Sequence, residues 1–402
     1  MTVLRALGWT MASALGIGVG LSSYAISNEV RAPAKALAVG VPPTAVARGN
    51  LALASLATRR ARNPRAAIGP GEVELARRAY RSEPLSVSAV ALQALSLTGK
   101  SDAGRRQSLL TLAGKLTRRS TLVNMALIES AARRNDEREF FAWISRAMLI
   151  NSEAGQAYGT AMADATARDG AVEALVDVLG PKPRWADQYW RLLVGRPDSL
   201  VNGARIRIAL TGKPWRQTGV GQTDKDLVLG LARIGKFEEA RQLANALRPA
   251  KTTKGNLLVN GDFAAEPALA PFDWQLSALG NLGASIDKGN KQLLISAVGG
   301  ATGSAAQQLV QLAPGEYRLG WSMSSNAPLP ANAIAVRIFC AEPNVESATR
   351  SSIVLAAGKH DAALKVTDGR CRWHWISINV ALPDDAPGVD AVVSGLSLIP
   401  AS

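Results

Sequence analysis

Cysteine and histidine are almost missing from this chain. Its 402 residues include only two of each, and all four lie near the C-terminal end, at Cys340, His360, Cys371 and His374. The long Ala- and Leu-rich stretch before them therefore has no thiol or imidazole for nucleophilic, metal-binding or general-base chemistry. Glycine-rich phosphate loops, zinc-ligand spacings and a serine-hydrolase motif are also missing. These absences predict a non-enzymatic protein without a cofactor or metal.

Negative charge is scarce as well. The chain has 46 Lys+Arg against 32 Asp+Glu, a formal net charge of +14. Such an excess favours anionic partners such as phospholipid headgroups or acidic glycans. No nucleic-acid-binding module is recognisable, so a nucleic-acid partner is not predicted. The alternative is that the arginines simply form solvated helix faces.

The N-terminal segment, residues 1–30, is the longest apolar stretch. No charged residue occurs from Ala6 to Asn28, and about 20 apolar residues suffice for a helix to cross a bilayer. The basic start and the small residues around Ser22–Ala25 fit a cleaved signal peptide equally. The segment is either retained as a single-pass inner-membrane anchor or cleaved as a signal peptide. In both cases the rest of the chain is expected in the periplasm. A Pro- and Ala-rich linker, 31–45, follows it.

Residues 46–249 are predicted to form a helical-repeat domain. Ala79, Ala113 and Ala147 follow similar apolar pairs and are spaced 34 residues apart, the tetratricopeptide period. From about 72 to 247 the chain resembles tetratricopeptide repeats, and Leu227–Ala240 resembles the inner part of one unit. The resemblance implies an α-solenoid that binds a partner protein. A plain helical bundle is the alternative.

Between residues 180 and 218 the repeat pattern lapses, and several Pro, Trp and Tyr residues replace it. Arginine pairs also recur along the array. They either line a groove for an acidic partner or are solvated on different sides of their helices. The pairs are Arg59–Arg60, Arg77–Arg78, Arg105–Arg106, Arg118–Arg119 and Arg133–Arg134.

After a linker at 250–255, residues 256–402 change to short alternating runs bounded by Gly, Pro and Asn, which is typical of an all-β sandwich. The whole chain is thus predicted to be a multidomain α + β protein. The candidate strands are Gln292–Ser296, Gln307–Gln311, Tyr317–Ser322, Ile334–Cys340, Ser352–Leu355, Ala362–Val366, Trp373–Val380 and Val392–Leu398.

Three stretches of this module resemble the galactose-binding-like jelly rolls, a group that includes many carbohydrate-binding modules. They are an opening Leu258–Phe263, a turn and strand over Leu312–Trp321, and a closing Val393–Leu398 strand. The resemblance implies a β-sandwich jelly roll that binds a glycan. Ser394–Gly395 stands where members of the group often carry an acidic residue, so calcium binding through Asn260 or Asp262 is not predicted.

Aromatic rings are the candidate ligand contacts, because the C–H faces of sugars stack on them. The candidates are Trp274, Trp321, Trp373, Trp375 and Tyr317, and packing within the sandwich is the alternative role for each. Period-two geometry places Trp373 and Trp375 on one face of their strand, opposite the apolar side chains of Ile376 and Ile378.

Cys340 and Cys371 are predicted to form a disulfide between two strands, as expected in an oxidising compartment. The alternatives are free thiols or a metal site that also uses His374, but three ligands without a fourth are a poor structural zinc set.

These features together predict an extracytoplasmic, membrane-associated adaptor. Its repeats would bind a partner protein and its jelly roll a glycan, in the assembly or export of envelope polysaccharide. One alternative is a protein–protein scaffold without a glycan role, and another is an accessory subunit of a carbohydrate-active enzyme.

Overall fold

A computed structural model describes residues 2–41, 44–63, 66–150, 155–215, 220–248, 255–343, 345, 351–367 and 369–401. The chain divides into two compact units, Met1–Tyr158 and Gly159–Ser402. The predicted linker at 250–255 lies, except for Gly255, outside the described residues. The last helices of the array thus belong to the same unit as the β module.

Within the described residues the N-terminal half is helical, as its Ala- and Leu-rich spacing predicts. The helices are α1 (Thr2–Asn28), α2 (Pro33–Ala38), α3 (Ala45–Arg62), α4 (Pro70–Ser82), α5 (Val87–Ser96), α6 (Ala103–Leu116), α7 (Thr121–Arg133), α8 (Glu137–Ile150), α9 (Gly155–Ala165), α10 (Ala171–Leu179), α11 (Ala186–Leu193), α12 (Leu200–Ala209), α13 (Gln222–Arg233) and α14 (Phe237–Leu247).

Helix α1 is long and apolar enough to cross a membrane over Trp9–Asn28, a stretch of 20 residues with a mean hydropathy of 1.2. Only 6% of that stretch is buried within the protein, and Trp9 and Ile17 are 76% and 64% exposed. A core helix would bury such side chains. Single span and signal peptide both remain compatible with this helix.

The first unit places its small residues where helices meet. Ala79, Ala113 and Ala147 are all buried, and α6, α8 and α10 begin 34 residues apart, at Ala103, Glu137 and Ala171. Beside Ala113, a methyl group on Gly114 would come within 2.9 Å of the Trp143 ring, so a side chain there would separate the helices. The helical expectation is met, whereas the assignment to the tetratricopeptide family is not confirmed.

A buried carboxylate joins α3 to α4. Glu72 accepts hydrogen bonds from Ser55 Oγ at 2.8 Å and from Arg59 Nε at 3.0 Å, and it also accepts one from the Gly69 N–H at the start of α4. Burial alone would raise the pKa of Glu72, but these hydrogen bonds and the Arg59 charge outweigh it and hold the pKa below the ordinary value. The ionised form of Glu72 is therefore the one that stabilises this helix pair.

The aromatic residues that interrupt the repeat pattern pack together in the second unit. Tyr189 contacts Trp190 with ring centroids 5.1 Å apart, and Trp190 lies 6.1 Å from Trp215. Arg207 on α12 and Asp224 at the start of α13 form a buried ion pair at 2.7 Å. The described part of this segment, residues 180–215, thus packs as a helical core.

The C-terminal part is a sandwich of two antiparallel sheets, which confirms the predicted multidomain α + β fold. The first sheet has the order β1-β5-β10-β7-β8 and the second β2-β3-β4-β11-β6-β9. The strands are β1 (Gln275–Leu276), β2 (Ala278–Leu279), β3 (Leu282–Asp287), β4 (Gln292–Ala297), β5 (Thr302–Gln311), β6 (Gly315–Ser325), β7 (Ile334–Cys340), β8 (Ser351–Val354), β9 (Gly358–Val366), β10 (Trp373–Ala381) and β11 (Val389–Pro400).

All eight candidate strands are present, with ends shifted by a few residues. Strands β1, β2 and β3 were not among them, because two are only two residues long and β3 contains Gly283, which weakens a strand pattern. Between the sheets lies one apolar core that includes Leu293, Leu319 and Ile376. The outer face of the five-stranded sheet carries Trp375 and the side chains opposite it on β5 and β7.

Candidate functional site

Cys340 and Cys371 form the predicted disulfide, with Cα atoms 5.9 Å apart. The bond joins the end of β7 to the residues just before β10. Because both sulfurs are used in this bond, they are not available as thiolate ligands, and the alternative of a metal site with His374 does not fit the structure. His374 itself is buried on the core side of β10.

The opening stretch of the module is structural. The Asn260 side chain exchanges two hydrogen bonds with the Ala265 backbone, at 2.7 and 3.1 Å. A Cβ on Gly261 would meet the Leu396 carbonyl oxygen, so only glycine fits against the closing strand. Trp274 is 1% exposed, and its Nε1 donates to the Asn260 carbonyl at 3.0 Å. Trp274 therefore packs in the core, away from any dissolved ligand.

Trp321 and Tyr317 on β6 are also buried. Trp321 Nε1 donates to the Ala356 carbonyl at 3.1 Å, and the Tyr317 hydroxyl donates to the Ala313 carbonyl at 2.7 Å. Each buried ring thus has its polar atom satisfied by the backbone, as expected for core aromatics. The structure does not bring these two rings to the surface that carries Trp375.

Trp373 and Trp375 lie on the outer face of β10, as the alternation predicted, while Ile376 and Ile378 lie in the core. Trp373 is buried there by Phe237 of α14, with ring centroids 5.8 Å apart. Trp375 packs beside this cluster and keeps part of its surface exposed. Of the four predicted tryptophans, Trp375 is thus the one whose side chain a ligand can reach.

The neighbours of Trp375 form what we call the outer strip: Phe339, Trp375, Arg337, Ser377, Gln307 and Asn379. In the register of the sheet, Trp375 is opposite Phe339 on β7, and Ser377 is opposite Arg337 on β7 and Gln307 on β5. Directly opposite residues lie about 4.5–5.5 Å apart on one face. The strip therefore places two aromatic side chains next to a row of polar ones.

Some polar side chains of the outer strip are held by hydrogen bonds within the protein, and others keep hydrogen-bonding groups that a ligand could use. Asn379 Nδ2 donates to Ser377 Oγ at 2.9 Å, and Gln307 Nε2 donates to Gln275 Oε1 at 3.0 Å. The exposed Arg337 guanidinium forms no hydrogen bond or ion pair with any described residue, and neither does Asn379 Oδ1. The arrangement thus offers oriented donors and acceptors beside apolar rings on a rigid sheet.

Sequence reasoning missed Phe339, Arg337, Gln307 and Asn379. The alternation of β7 placed Phe339 and Arg337 on one face, and that of β10 placed Asn379 with Trp375. Strand order was the missing information, since only the pairing of β5 and β7 on either side of β10 brings these residues together.

The sequence matches no protein-family model and no curated protein. Solved structures similar to the C-terminal sheet region include a family 4 carbohydrate-binding module, which is 17% identical with a TM-score of 0.27, the alignment covering 36% of this chain and 99% of that one. A family 61 module in complex with β-1,4-galactotriose is 14% identical with a TM-score of 0.25, again over 36% and 99%. A family 16 module is 17% identical with a TM-score of 0.19, over 36% and 99%. At such low identity and TM-score the similarity says nothing about the ligand of this chain.

Proposed function

We propose that this protein is a non-enzymatic, membrane-tethered glycan-binding protein whose sugar site is the outer strip. The observation that carries the proposal is the pairing of Trp375 and Phe339 with polar groups that have hydrogen-bonding capacity left over. Sugars present apolar C–H faces and many hydroxyls, so they fit aromatic rings flanked by fixed donors and acceptors.

Arg337 supports this assignment. Its guanidinium lies on the outer face of β7 opposite Ser377, exposed to solvent. A guanidinium offers five donors in a rigid fork, which can read two hydroxyls at once.

The tether in this proposal is α1. Trp9 and Tyr24 are 76% and 47% exposed on this helix, and at 1.5 Å per residue they lie about 22 Å apart along it. Tryptophan and tyrosine are typical of membrane interfaces. This arrangement, together with the disulfide, supports an extracytoplasmic location in the periplasm. A partner protein bound by the helices, and a role in envelope polysaccharide assembly or export, complete the proposal.

Glycan-array binding by the full chain in detergent tests the sugar site. Against any bound oligosaccharide, Trp375→Ala should weaken affinity by about tenfold or more, a loss of about 1.4 kcal/mol or greater. Arg337→Ala should also weaken it, because hydroxyl contacts are lost. Arg318→Ala is the matched control, since Arg318 is an exposed arginine on the other sheet.

Two results would contradict the proposal. The first is the absence of binding to neutral and acidic oligosaccharides alike. The second is binding that Trp375→Ala and Arg337→Ala leave unchanged. If a purified partner protein is then retained by the intact chain, the scaffold alternative is the better description. Glycan hydrolysis by the intact chain would contradict its non-enzymatic character.

A further inference from the structure

A large cavity lies within the second unit, between α14 and the β module. Its volume is about 1200 Å³, above the roughly 300–1,000 Å³ of ordinary small-molecule pockets. One wall consists of Arg241 and Asn245 on α14 and of Arg248 just after it, and the other consists of the opening segment of the module and β5. We call this space the junction cavity.

The α14 wall results from helix geometry. Arg241, Ala244 and Asn245 follow the i, i+3, i+4 spacing that puts side chains on one helix face. Arg248 comes directly after the last residue of α14, with an extended backbone. Phe237, one turn before Arg241, holds the start of α14 against Trp373. The guanidinium of Arg241 then lies 5.4 Å from the centroid of the Trp373 ring. The same contact that covers Trp373 therefore orients the polar face of α14 toward the cavity.

Some polar groups of the cavity already form hydrogen bonds or ion pairs with other residues of the protein. Arg241 pairs with Glu238 at 3.1 Å. Asp273 accepts hydrogen bonds from the backbone N–H groups of Ala268 and Trp274, at 3.0 and 2.8 Å. Burial raises the pKa of Asp273, although these bonds and the nearby Arg248 charge oppose the rise. These groups shape the wall and are not free to bind a ligand.

Four other polar side chains of the cavity form no hydrogen bond or ion pair with any described residue. They are Asn245, Arg248, Asp262 and Gln311. The guanidinium supplies donors, the carboxylate supplies acceptors, and the two amides supply both. The partly exposed ring of Phe272 and the side chain of Leu257 add apolar surface to the same cavity. The combination suits a polyhydroxylated ring with an apolar face.

Charge decides between neutral and acidic saccharides. The charged residues that line the cavity are two arginines, Arg241 and Arg248, and two aspartates, Asp262 and Asp273, so their formal charges cancel. The module as a whole has 9 Lys+Arg against 12 Asp+Glu over residues 256–402, a net charge of −3. Because the formal charges of the lining cancel and the module has no positive excess, the cavity has no net positive charge to attract a polyanion and suits a neutral saccharide.

We infer that the junction cavity is a second saccharide-binding subsite, and that α14 supplies one of its walls. This inference rests on the proposed function and extends it. Trp373 and Leu309, which line the cavity, are two residues from Trp375 and Gln307 of the outer strip on β10 and β5. A neutral oligosaccharide on the strip extends into the cavity, where Asn245 and Arg248 contact its next units. The helical part of the unit thus selects for glycan length.

A length series of the best-bound neutral oligosaccharide, from disaccharide to hexasaccharide, tests this inference by calorimetry on the full chain. The double variant Asn245→Ala/Arg248→Ala should lose about tenfold in affinity for the longest members and bind the shortest like the intact chain. Gln242→Ala is the matched control, because Gln242 is exposed on α14 outside the cavity. Unchanged melting temperatures show that both variants fold.

Chemical protection provides an independent measurement. Bound hexasaccharide should slow the reaction of Arg248 with phenylglyoxal, followed by mass spectrometry, and leave exposed Arg233 on α13 unaffected.

A double variant that binds the longest oligosaccharides as tightly as the intact chain does, together with an unprotected Arg248, would overturn the inference. If Trp375→Ala still abolished binding, the proposed function would stand. A preference for acidic over neutral oligosaccharides that depends on Arg248 would overturn the assigned ligand class. Failure of the intact chain to bind any oligosaccharide would overturn both proposals at once.

Discussion

Single small residues determine how closely the helices of the first unit approach. Ala113 has no exposed surface and lies in a cluster with Leu110, Leu127 and Trp143. Its neighbour Gly114 is in direct reach of the Trp143 ring. Interiors packed at this density tolerate added volume poorly. Conversely, residues such as Trp274 show that a large side chain on a candidate list can belong wholly to the core.

Ala113→Leu should destabilise the first unit by about 1–3 kcal/mol, because the larger side chain overpacks the contact between α6 and its neighbours. Lys115→Leu is the control, as Lys115 is exposed on the same helix and leucine is a good helix former. Chemical denaturation followed by circular dichroism measures both. Equal stability of the two variants would show that the 34-residue spacing does not reflect close helix contacts.

At the level of elements, β10 connects most features of the second unit. It is hydrogen-bonded to β5 and β7, its outer face contributes Trp375, and its first residue, Trp373, is packed against α14. The disulfide anchors the chain just before β10 to the end of β7, and the Ala341 N–H donates to the Trp373 carbonyl at 2.8 Å. The bond and the α14 contact thus meet at the same end of the strand.

Cys340→Ser should lower the free energy of unfolding by about 2–5 kcal/mol, as loss of a native disulfide does in secreted domains. Since α13 and α14 share a cluster with Trp373, we expect them to loosen together with the sandwich. Limited proteolysis with mass spectrometry should show new cleavage in Gly159–Ser402. The intact chain under non-reducing conditions serves as the control, and its Cys340 and Cys371 peptides should be linked. Equal cleavage in both units would contradict this assignment.

At the level of the whole molecule, charge is distributed unevenly. Residues 1–158 contain 21 Lys+Arg against 10 Asp+Glu, a net charge of +11, which leaves +3 for residues 159–402. The basic unit is the one that carries α1. An excess of this size favours anionic partners for the basic unit.

Alkaline phosphatase fused after Ser402 should be active in a bacterial host, because that reporter folds only outside the cytoplasm. Deletion of residues 1–30 should abolish this activity by removing α1. Mass spectrometry of the N-terminus of the mature protein distinguishes an anchor from a cleaved signal peptide. An inactive fusion of the intact chain that accumulates in the cytoplasm would contradict the extracytoplasmic assignment.

The sequence by itself determined the classes of structure and much of their extent. Apolar residues recur with a period of about 3.6 residues in the first part of the chain and of two residues in the last part. These periods predict helices and strands respectively, because side-chain direction repeats with them. The same alternation placed Trp375 and Ile376 on opposite faces of their strand. The expectation of an oxidising compartment predicted the disulfide between Cys340 and Cys371. Each of these conclusions depends on local geometry or on a single pair of residues.

Tertiary structure alone decided which residues meet. Strand order placed β5 and β7 beside β10 and so brought Gln307 and Arg337 to Trp375, although they are distant in the chain. The docking of α14 buried Trp373 and formed one wall of the junction cavity, which no pattern in the sequence indicates. Non-local pairing is set by the burial of whole faces and not by the preferences of short segments, and for that reason the site could be read only from the fold.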